Sequence, residues 1–210
     1  MRVPSHWRFA VCLTATALLV LSSACARGDR KTGFRPVKNV PSSPRVVSLG
    51  DPIPKGGGSY KVGNPYVIEG IVYTPAEEPT YDRVGIASFY AEDFHGRKTA
   101  NGEVFDMWAL AAAHPTLPMP SFAYVTNLAN NRTVLVRIND RGPFARERVI
   151  DLSRAAARLL GLEMQGTGHV RVRYAGRAPL NGDDTHERRF LAAQQWYRLA
   201  AWSAGRPVSR

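Results

Sequence analysis

Residues 133 to 144 read Thr-Val-Leu-Val-Arg-Ile-Asn-Asp-Arg-Gly-Pro-Phe, a run of β-branched and apolar residues that passes directly into a turn. The first six residues predict a β-strand, and the Gly-Pro pair marks the chain reversal after it. Asp140 closes the strand and opens the turn. Because ionisable groups on the loops of a rigid scaffold often carry chemistry, this stretch predicts both a core strand and a candidate site.

Four further runs rich in β-branched and aromatic residues recur with turn signals between them, at residues 66–73, 83–90, 122–128 and 169–174. In the last run, two valines alternate with two arginines, as expected of a half-buried strand. The spacing of the five runs predicts a small β-barrel or sandwich.

Two helices are predicted beside these strands. Ser153 is the expected N-cap of the first, and Gly161 its stop. The second begins after Asp184, with Glu187 three residues later completing a capping box, and it ends at Gly205. Its aromatic residues, which we expect to pack on the parent domain, are Phe190, Trp196, Tyr197 and Trp202.

The N-terminus has the pattern of a secretory signal peptide. Arg2 and Arg8 precede an apolar run at residues 9–21, which small residues follow at positions 22–24. The apolar run is too short for a transmembrane helix, which needs roughly 20 apolar residues. Residues 1–24 are therefore predicted to be removed, and the chain is predicted to be exported.

Cys25 follows directly, in a segment that resembles the cleavage box of bacterial lipoproteins, where the Cys thiol is lipidated. Leu21 lies four residues before Cys25, whereas that pattern usually places Leu three before it. The alternative is an ordinary signal-peptidase site with an incidental Cys. Since Cys12 leaves with the signal peptide, Cys25 has no partner for a disulfide, which favours lipidation.

The chain is strongly basic, with a formal charge of +11 that falls to +9 once the two arginines of residues 1–24 are removed (11 − 2). A basic balance suits nucleic acid, anionic lipid or an acidic polymer, and export excludes nucleic acid. A solvated basic face without a ligand is the alternative.

Residues 25–65 are rich in Pro, Gly, Ser and basic residues, which predicts a flexible linker after the anchor Cys. The barrel domain is expected at residues 66–178 and a helical tail at residues 179–210.

Two carboxylates are the main candidates for chemistry. Glu103 follows Asn101-Gly102, a dipeptide that favours a tight turn, so its carboxyl is expected at the rim of the domain rather than buried. Together with Asp140 it could form a pair with separated pKa values, and such pairs cut glycosidic bonds. The alternatives are that Glu103 is a solvated turn residue and that Asp140 caps its turn or pairs with Arg141.

Other polar residues are weaker candidates. His114 suits an isolated core or loop histidine as well as a site residue, and Asp151 is expected to prepare the helix start. Arg97 and Arg141 suit recognition of polar or anionic groups, because a guanidinium offers a fork of donors. His95 beside a glycine invites a metal interpretation, but the scattered histidines have no ligand spacing, so no metal site is predicted.

Taken together, the motifs from Gly85 to about Gly176 resemble the double-psi β-barrel domain of the rare lipoprotein A (RlpA) family. The segments that carry the resemblance are Gly85-Ile-Ala-Ser-Phe-Tyr90, Phe94-His-Gly-Arg97, Thr99-Ala-Asn-Gly-Glu103, Ala112-Ala-His-Pro-Thr-Leu-Pro118, Val125-Thr-Asn-Leu128, Val136-Arg-Ile-Asn-Asp-Arg-Gly-Pro-Phe144 and Ile150-Asp-Leu-Ser153.

The resemblance implies a mainly β fold, a six-stranded double-psi β-barrel with one or two short helices and a C-terminal helix. It implies a lytic transglycosylase that acts on peptidoglycan glycan strands, prefers strands stripped of stem peptides, and needs no cofactor. Asp140 is expected to be the acid/base, with Glu103 as supporting anion and His114 bonded to a carboxylate or the sugar. The residues expected to bind substrate are Tyr90, Arg97, Asn139 and Arg141.

Many relatives carry a C-terminal SPOR module, for which the 210 residues leave no room, so recruitment to the division septum through it is not expected. Division or envelope proteins stay possible partners. Because Ala26 replaces the Asp that commonly retains lipoproteins at the inner membrane, anchoring in the outer membrane is favoured. The rival functions are a non-catalytic wall-binding lipoprotein and an envelope scaffold that acts through the C-terminal helix.

Overall fold

The computed structural model of the chain describes residues 42–203, apart from the side chain of Trp202. The predicted signal peptide, the anchor residue Cys25 and the predicted helix end at Gly205 lie outside this range. The strands are β1 Tyr66–Ile68, β2 Ile71–Tyr73, β3 Asp82–Tyr90, β4 Ala111–Ala113, β5 Ser121–Asn127, β6 Thr133–Asp140, β7 Arg148–Ser153 and β8 Gly168–Arg177. The helices are α1 Arg154–Leu160, α2 Thr185–Ala193 and α3 Gln195–Ser203.

Six strands close into a barrel in the order β3-β7-β4-β6-β5-β8. The pairs β3–β7 and β4–β6 are parallel, and the other pairs are antiparallel. Closure gives each of these six strands a neighbour on both sides, so the barrel itself has no free edge. The predicted fold class, a mainly β six-stranded barrel with short helices and helical structure near the C-terminus, is confirmed.

The predicted run at residues 66–73 is not a barrel strand. It is split by Glu69 and Gly70, which both have positive φ (48° and 78°) and form the turn of a separate two-stranded hairpin, β1–β2. Two positive φ values in succession give a turn whose twist matches that of a hairpin. The barrel instead uses β4 and β7, which the spacing of strand-like runs did not predict.

Strand β6 is buried on both faces. Val134, Val136 and Ile138 point into the main core and are fully buried. Leu135 lies on the opposite face, in a second apolar cluster that Phe190 of α2 covers. Because successive side chains of a strand point to opposite faces, Arg137 shares the outer face with Leu135 and lies beneath α2.

The helix caps are partly as predicted. Ser153 accepts from the backbone N–H of Ala156 at 3.2 Å, and Gly161 ends α1 in the left-handed conformation with φ 80°. The predicted C-terminal helix is broken at Gln194, whose extended backbone separates α2 from α3. The predicted capping box is wrong, because the Asp184 side chain makes no cap bond.

Aromatic residues of the C-terminal helices pack on the barrel, as predicted. The ring of Phe190 lies 5.0 Å from that of Tyr124, and Trp196 and Tyr197 pack against the main core. The Arg132 guanidinium stacks over Trp196 at 5.2 Å. No helix within residues 42–203 is both apolar enough and long enough to cross a bilayer.

Part of the predicted flexible linker is bound to the barrel. We call residues 43–62 the N-terminal strap. Val46 and Val47 donate backbone hydrogen bonds to Gly96, and Ser59 donates to Asn101 at 2.9 Å. Lys61 then exchanges two backbone bonds with Met119. The strap therefore runs across the loops that carry the signature residues.

Candidate active site

The Glu103 carboxylate is buried, with 5% of the residue exposed. Oε1 accepts from Asn101 Nδ2 at 3.1 Å and from Arg137 Nη2 at 2.6 Å. Oε2 accepts from Arg137 Nε at 3.0 Å and from Asn139 Nδ2 at 2.9 Å. The prediction of a carboxyl at the rim is wrong, because the Asn101-Gly102 turn folds back onto the outer face of β6.

The charge of Glu103 is fixed by these contacts. Burial alone raises the pKa of the Glu103 carboxyl, but the hydrogen bonds and charge of Arg137 and the amides of Asn139 and Asn101 outweigh it, so the net pKa is lowered. Glu103 is therefore an anion at neutral pH. Its four hydrogen bonds fill the acceptor sites of a carboxylate and leave none for a ligand.

Asp140 has a different environment. Its Oδ1 accepts from the backbone N–H groups of Ala100 at 2.9 Å and of Arg141 at 2.8 Å. Burial, reinforced by the negative charge of Asp151, raises the pKa of Asp140 to about 6 against the lowering effect of the two amides and of the Arg141 charge. The residue as a whole keeps partial exposure. Asp140 can therefore carry a proton near neutral pH.

One short turn connects the two carboxylates. Glu103 and Ala100 belong to the same turn, and the N–H of Asn101 donates to the carbonyl of Asn139 at 3.4 Å. Strand β6 is irregular at this point, since Ala112 pairs with Ile138 but Ala113 pairs with Asp140, so Asn139 and Asp140 do not alternate between faces as regular strand residues do. The two predicted residues thus meet at the carboxyl end of β6, where Glu103 is bound by Arg137 and Asn139 and Asp140 accepts from the turn that carries Glu103.

His114 lies beneath this end of the barrel and is fully buried. Its Nδ1 accepts from the backbone N–H groups of Thr116 at 3.1 Å and of Leu117 at 3.0 Å, so Nε2 carries the hydrogen and lies 2.9 Å from the Tyr81 hydroxyl. Burial lowers the pKa of His114 to about 3, so the ring is neutral. The His114 ring makes no hydrogen bond to a carboxylate among residues 42–203, and its predicted role in the reaction stays a prediction.

Tyr90 is buried against Phe105, with ring centroids 4.2 Å apart. Its hydroxyl has no hydrogen-bond partner among residues 42–203. Burial and the nearby charges of Asp140 and Asp151 raise the pKa of Tyr90 well above its ordinary value. A neutral hydroxyl therefore lies near Asp140.

The two predicted substrate-binding arginines donate to backbone carbonyls. Arg97 donates to Asp93 and to Ser43 of the strap, each at 2.6 Å. Arg141 donates to Leu117 at 2.5 Å, to His114 at 3.2 Å and to the strap. It makes no ion pair with Asp140 among the described residues. Both guanidinium groups hold loops together in this structure, and their role in substrate binding stays a prediction.

A cleft of about 120 Å³ opens beside Glu103, between the strap, the outer face of β6 and helix α2. Arg137, Asn139, Glu187 and Trp108 contribute to its walls, whereas Asp140 does not line it. Sequence reasoning missed Arg137 and Glu187 as site residues. An arginine inside an otherwise apolar strand was the signal for the first, because a buried charge needs a partner.

Residues 42–203 contain no group of three or more His, Cys, Asp or Glu side chains arranged to hold a metal ion. His95 instead accepts through Nδ1 from the backbone N–H of Met107 at 3.2 Å. Its ring therefore supports the loop that precedes Trp108.

The barrel is similar in sequence to proteins of known name. A family profile described as lytic transglycolase matches residues 82–174. The protein named endolytic peptidoglycan transglycosylase RlpA from Pseudomonas aeruginosa (strain UCBPP-PA14) is 48% identical over 128 residues, which cover 60% of this chain and 38% of the relative. The RlpA from Pasteurella multocida (strain Pm70) is 56% identical over 110 residues, 51% of this chain and 37% of the relative.

A third relative of the same name, from Neisseria meningitidis (strain DSM 15465 / Z2491), is 51% identical over 108 residues, which cover 51% of this chain and 45% of that protein. The chain thus spans less than half the length of each of these three relatives. The matched region coincides with the closed barrel and contains Glu103, His114 and Asp140. The barrel domain of this chain is therefore similar to that of the proteins named RlpA.

Proposed function

We propose that the chain is an endolytic peptidoglycan lytic transglycosylase. It cleaves the glycosidic bond between N-acetylmuramic acid and N-acetylglucosamine, prefers glycan strands without stem peptides, and leaves 1,6-anhydro ends. The observation that carries the proposal is Asp140, a carboxyl whose pKa of about 6 lets it hold a proton near neutral pH. The names of the relatives support the same substrate.

In this proposal Asp140 is the acid and then the base. Its proton goes to the glycosidic oxygen as the bond to the anomeric carbon breaks, and the sugar carbon takes on oxocarbenium character. The primary hydroxyl of the same muramic acid then attacks that carbon, and its proton goes to the Asp140 carboxylate. The carboxyl is restored, and no water enters the product.

Glu103 acts through the turn that it holds. Because its oxygens already accept four hydrogen bonds, we assign it a positioning role instead of direct stabilisation of the sugar cation. The turn carries the Ala100 N–H, which donates to Asp140 Oδ1 and leaves Oδ2 for the proton transfer. A preorganised amide of this kind stabilises the carboxylate after the proton has left.

His114 and Tyr90 complete the support of Asp140. The backbone N–H of His114 donates to the Asp140 carbonyl at 3.0 Å, so the buried ring fixes the strand end from below. The Tyr90 hydroxyl, which has no partner among residues 42–203, is a neutral donor near Asp140.

The test is mass spectrometry of denuded wall glycan after incubation with the protein. Anhydro-ended fragments from the native chain, absent with Asp140→Asn, support the lyase. Reducing ends would indicate hydrolysis and overturn the proposed product. The preference for naked strands is tested by comparing the rate of cleavage of denuded glycan with that of intact sacculi. Equal rates on the two substrates would contradict that preference.

A non-catalytic wall-binding function is the second candidate. It is favoured by the complete engagement of Glu103 with its neighbours and by the formal charge of +11, which suits an acidic polymer. Binding without cutting would appear as co-sedimentation with sacculi that release no fragments. Asp140→Asn would then leave both binding and the absence of products unchanged.

We further propose that the chain is exported and anchored by lipid on Cys25, with the outer membrane as its location and division or envelope proteins as possible partners. Residues 2–25 support this through the charged start, apolar run and small residues before the Cys. Labelling of cells with a fatty-acid analogue, followed by membrane fractionation, tests it. Label on the native chain that Cys25→Ser abolishes is the expected result, and label retained by Cys25→Ser contradicts it.

A further inference from the structure

Three buried polar atoms on residues that line the cleft beside Glu103 have no hydrogen-bond partners among residues 42–203. They are Arg137 Nη1, Asn139 Oδ1 and Glu187 Oε2. The three residues are 7%, 4% and 2% exposed, and all three line the cleft. Because native proteins leave few buried polar groups unpaired, three in one cleft indicate a place that a ligand fills.

The hydrogen-bonding character of each atom is fixed by its neighbours. Asn139 donates through Nδ2 to Glu103, so its Oδ1 is the acceptor left without a partner. Arg137 donates through Nε and Nη2 to Glu103, and Nη2 also donates to the Pro179 carbonyl. Nη1 is therefore the donor that has no partner among residues 42–203. The cleft therefore presents one charged donor beside two acceptor oxygens.

Helix α2 supplies the third atom from outside the matched family region. Glu187 lies in its first turn, beneath which Arg137 points outward from β6. Burial raises the pKa of Glu187 to about 7, so this oxygen is also able to carry a proton. The tail that follows the barrel thus builds one wall of the cleft.

An indole lies at the cleft mouth. Trp108 lines the cleft and is 51% exposed, which is unusual for so large an apolar side chain. Arg154 and Arg158 stack on its ring at 5.5 Å and 5.6 Å and hold it in place. A rigid aromatic surface next to a polar cleft suits a ligand with an apolar face and a polar substituent.

We propose that this cleft is a subsite for an N-acetylated amino sugar, with the acetamido group among Arg137, Asn139 and Glu187 and the sugar ring against Trp108. The acetamido carbonyl accepts from Arg137 Nη1, and its N–H donates to an acceptor oxygen of the cleft. A cleft of about 120 Å³ holds a small polar group and not a whole ring. The inference rests on the proposed function, since it names the sugar that the same glycan would place there.

The strap forms one wall of the subsite through Ile53, Pro54, Lys55 and Gly56. Lys55 is attached to the barrel by an exposed ion pair with Asp184 at 2.9 Å, a type of contact that contributes little stability. The next backbone bond to the signature turn comes from Ser59. Between these two points, Gly56 packs closely on Leu180 and Asn181, and Gly58 packs closely on Asn101 and Glu103.

The test is calorimetric titration of the mature chain carrying Asp140→Asn, which prevents turnover. The probes are chitotetraose and cellotetraose, which share a β-1,4-linked glucose skeleton and differ in having an acetamido group or a hydroxyl at C2. We expect chitotetraose to bind about tenfold or more tightly, since a site built to pair a polar group rejects the analogue without it. Equal affinity would overturn the subsite.

Two variants and one control sharpen the result. Trp108→Ala is expected to weaken both sugars, and Glu187→Leu is expected to reduce the preference for the acetamido sugar. Leu199→Ala, at a 58% exposed position on α3, is the control and should change neither. If Trp108→Ala binds both sugars as tightly as the parent, the proposal is wrong even if Glu187→Leu fails to fold.

Binding and lysis are read separately, so the two proposals fail in different ways. If the chain prefers the acetamido sugar but the native chain releases no fragments, the subsite proposal is supported and the lyase proposal is wrong. If the native chain releases anhydro fragments but the two sugars bind equally, the lyase proposal is supported and the subsite proposal is wrong.

Discussion

Arg137 holds Glu103 through two parallel hydrogen bonds, from Nε to Oε2 at 3.0 Å and from Nη2 to Oε1 at 2.6 Å. Both side chains are buried, at 8% and 6% exposure. A guanidinium fixes a carboxylate in one orientation when it binds with both arms, which a lysine ammonium cannot do. The pair therefore determines where the turn at residues 99–103 lies on β6.

Removing one partner of this pair should be strongly destabilising. Arg137→Ala leaves the Glu103 carboxylate buried without its cation, which costs about 3 to 5 kcal/mol of unfolding free energy. The double variant Arg137→Met, Glu103→Leu should recover much of that loss, because apolar side chains of similar volume often replace a buried ion pair without net cost. Urea denaturation measures both. A loss below about 1 kcal/mol for Arg137→Ala would show that the pair is not closed in solution.

Glu103→Gln should slow the reaction through Asp140. The amide nitrogen of Gln replaces an acceptor among donors from Arg137, Asn139 and Asn101, so the turn is displaced and Ala100 moves away from Asp140. We expect kcat to fall about tenfold or more.

The pH profile separates this positioning role from a general loss of structure. Loss of the Ala100 N–H bond removes a contact that favours the Asp140 anion, so the alkaline limb of the profile should move to higher pH. If Glu103→Gln lowers kcat but leaves the alkaline limb of the pH profile unchanged, the positioning role of Glu103 is wrong.

The pH dependence of the native chain follows from the two carboxylates. Asp140 must be protonated to act as the acid, so kcat/KM for wall glycan should fall as pH rises through about 6. Glu103 must stay anionic, and its pKa is lowered from the usual 4.5, so a second loss is expected only below that pH. Initial rates between pH 3 and pH 9 measure both limbs. Activity that increases from pH 6 to pH 8 would exclude Asp140 as the acid.

Some of this fold can be predicted from the sequence because the signals are local. Strand β6 and helix α1 have an apolar run or a helical stretch bounded by turn or cap residues within a few positions. Strand β4 has no such signal, since its three residues are alanines and only their burial between β6 and β7 makes them a strand. The break at Gln194 likewise depends on how two amphipathic segments dock on the barrel.

The candidate site, like the fold, can be predicted from the sequence only in part. Residue type and the family resemblance identify Glu103 and Asp140, but the depth of Glu103 depends on Arg137, which is 34 residues away in the chain. The subsite wall depends on Glu187, whose local pattern suggests only a helix start. Contacts between distant segments decide which carboxylate is buried, and although Arg137 in an apolar strand signals a buried partner, local sequence does not identify that partner as Glu103.

Glu187 should make stability depend on pH. Its folded pKa of about 7 lies above the usual 4.5, so the folded state binds the proton more tightly, and stability falls as pH rises between these values. Glu187→Gln removes the ionisation and should stabilise the protein at pH 8 by roughly 2 to 3 kcal/mol relative to the native chain, with little gain at pH 4. Thermal unfolding at the two pH values measures the difference. An equal effect at both would mean that Glu187 does not titrate in the folded protein.

Gly58 should be required for the strap to lie on the signature turn. A Cβ at this position would come within 2.8 Å of both the Asn101 Nδ2 and the Glu103 Cγ, atoms that the buried hydrogen bonds hold in place. Gly58→Ala therefore forces the strap away from the turn, and limited proteolysis should cut residues 43–62 faster than in the native chain. Gly57→Ala is the matched control, because a Cβ there meets nothing within 4 Å and adds only the strain of its positive φ. Equal protection of the native chain and Gly58→Ala would mean that the strap does not press on Glu103 in solution.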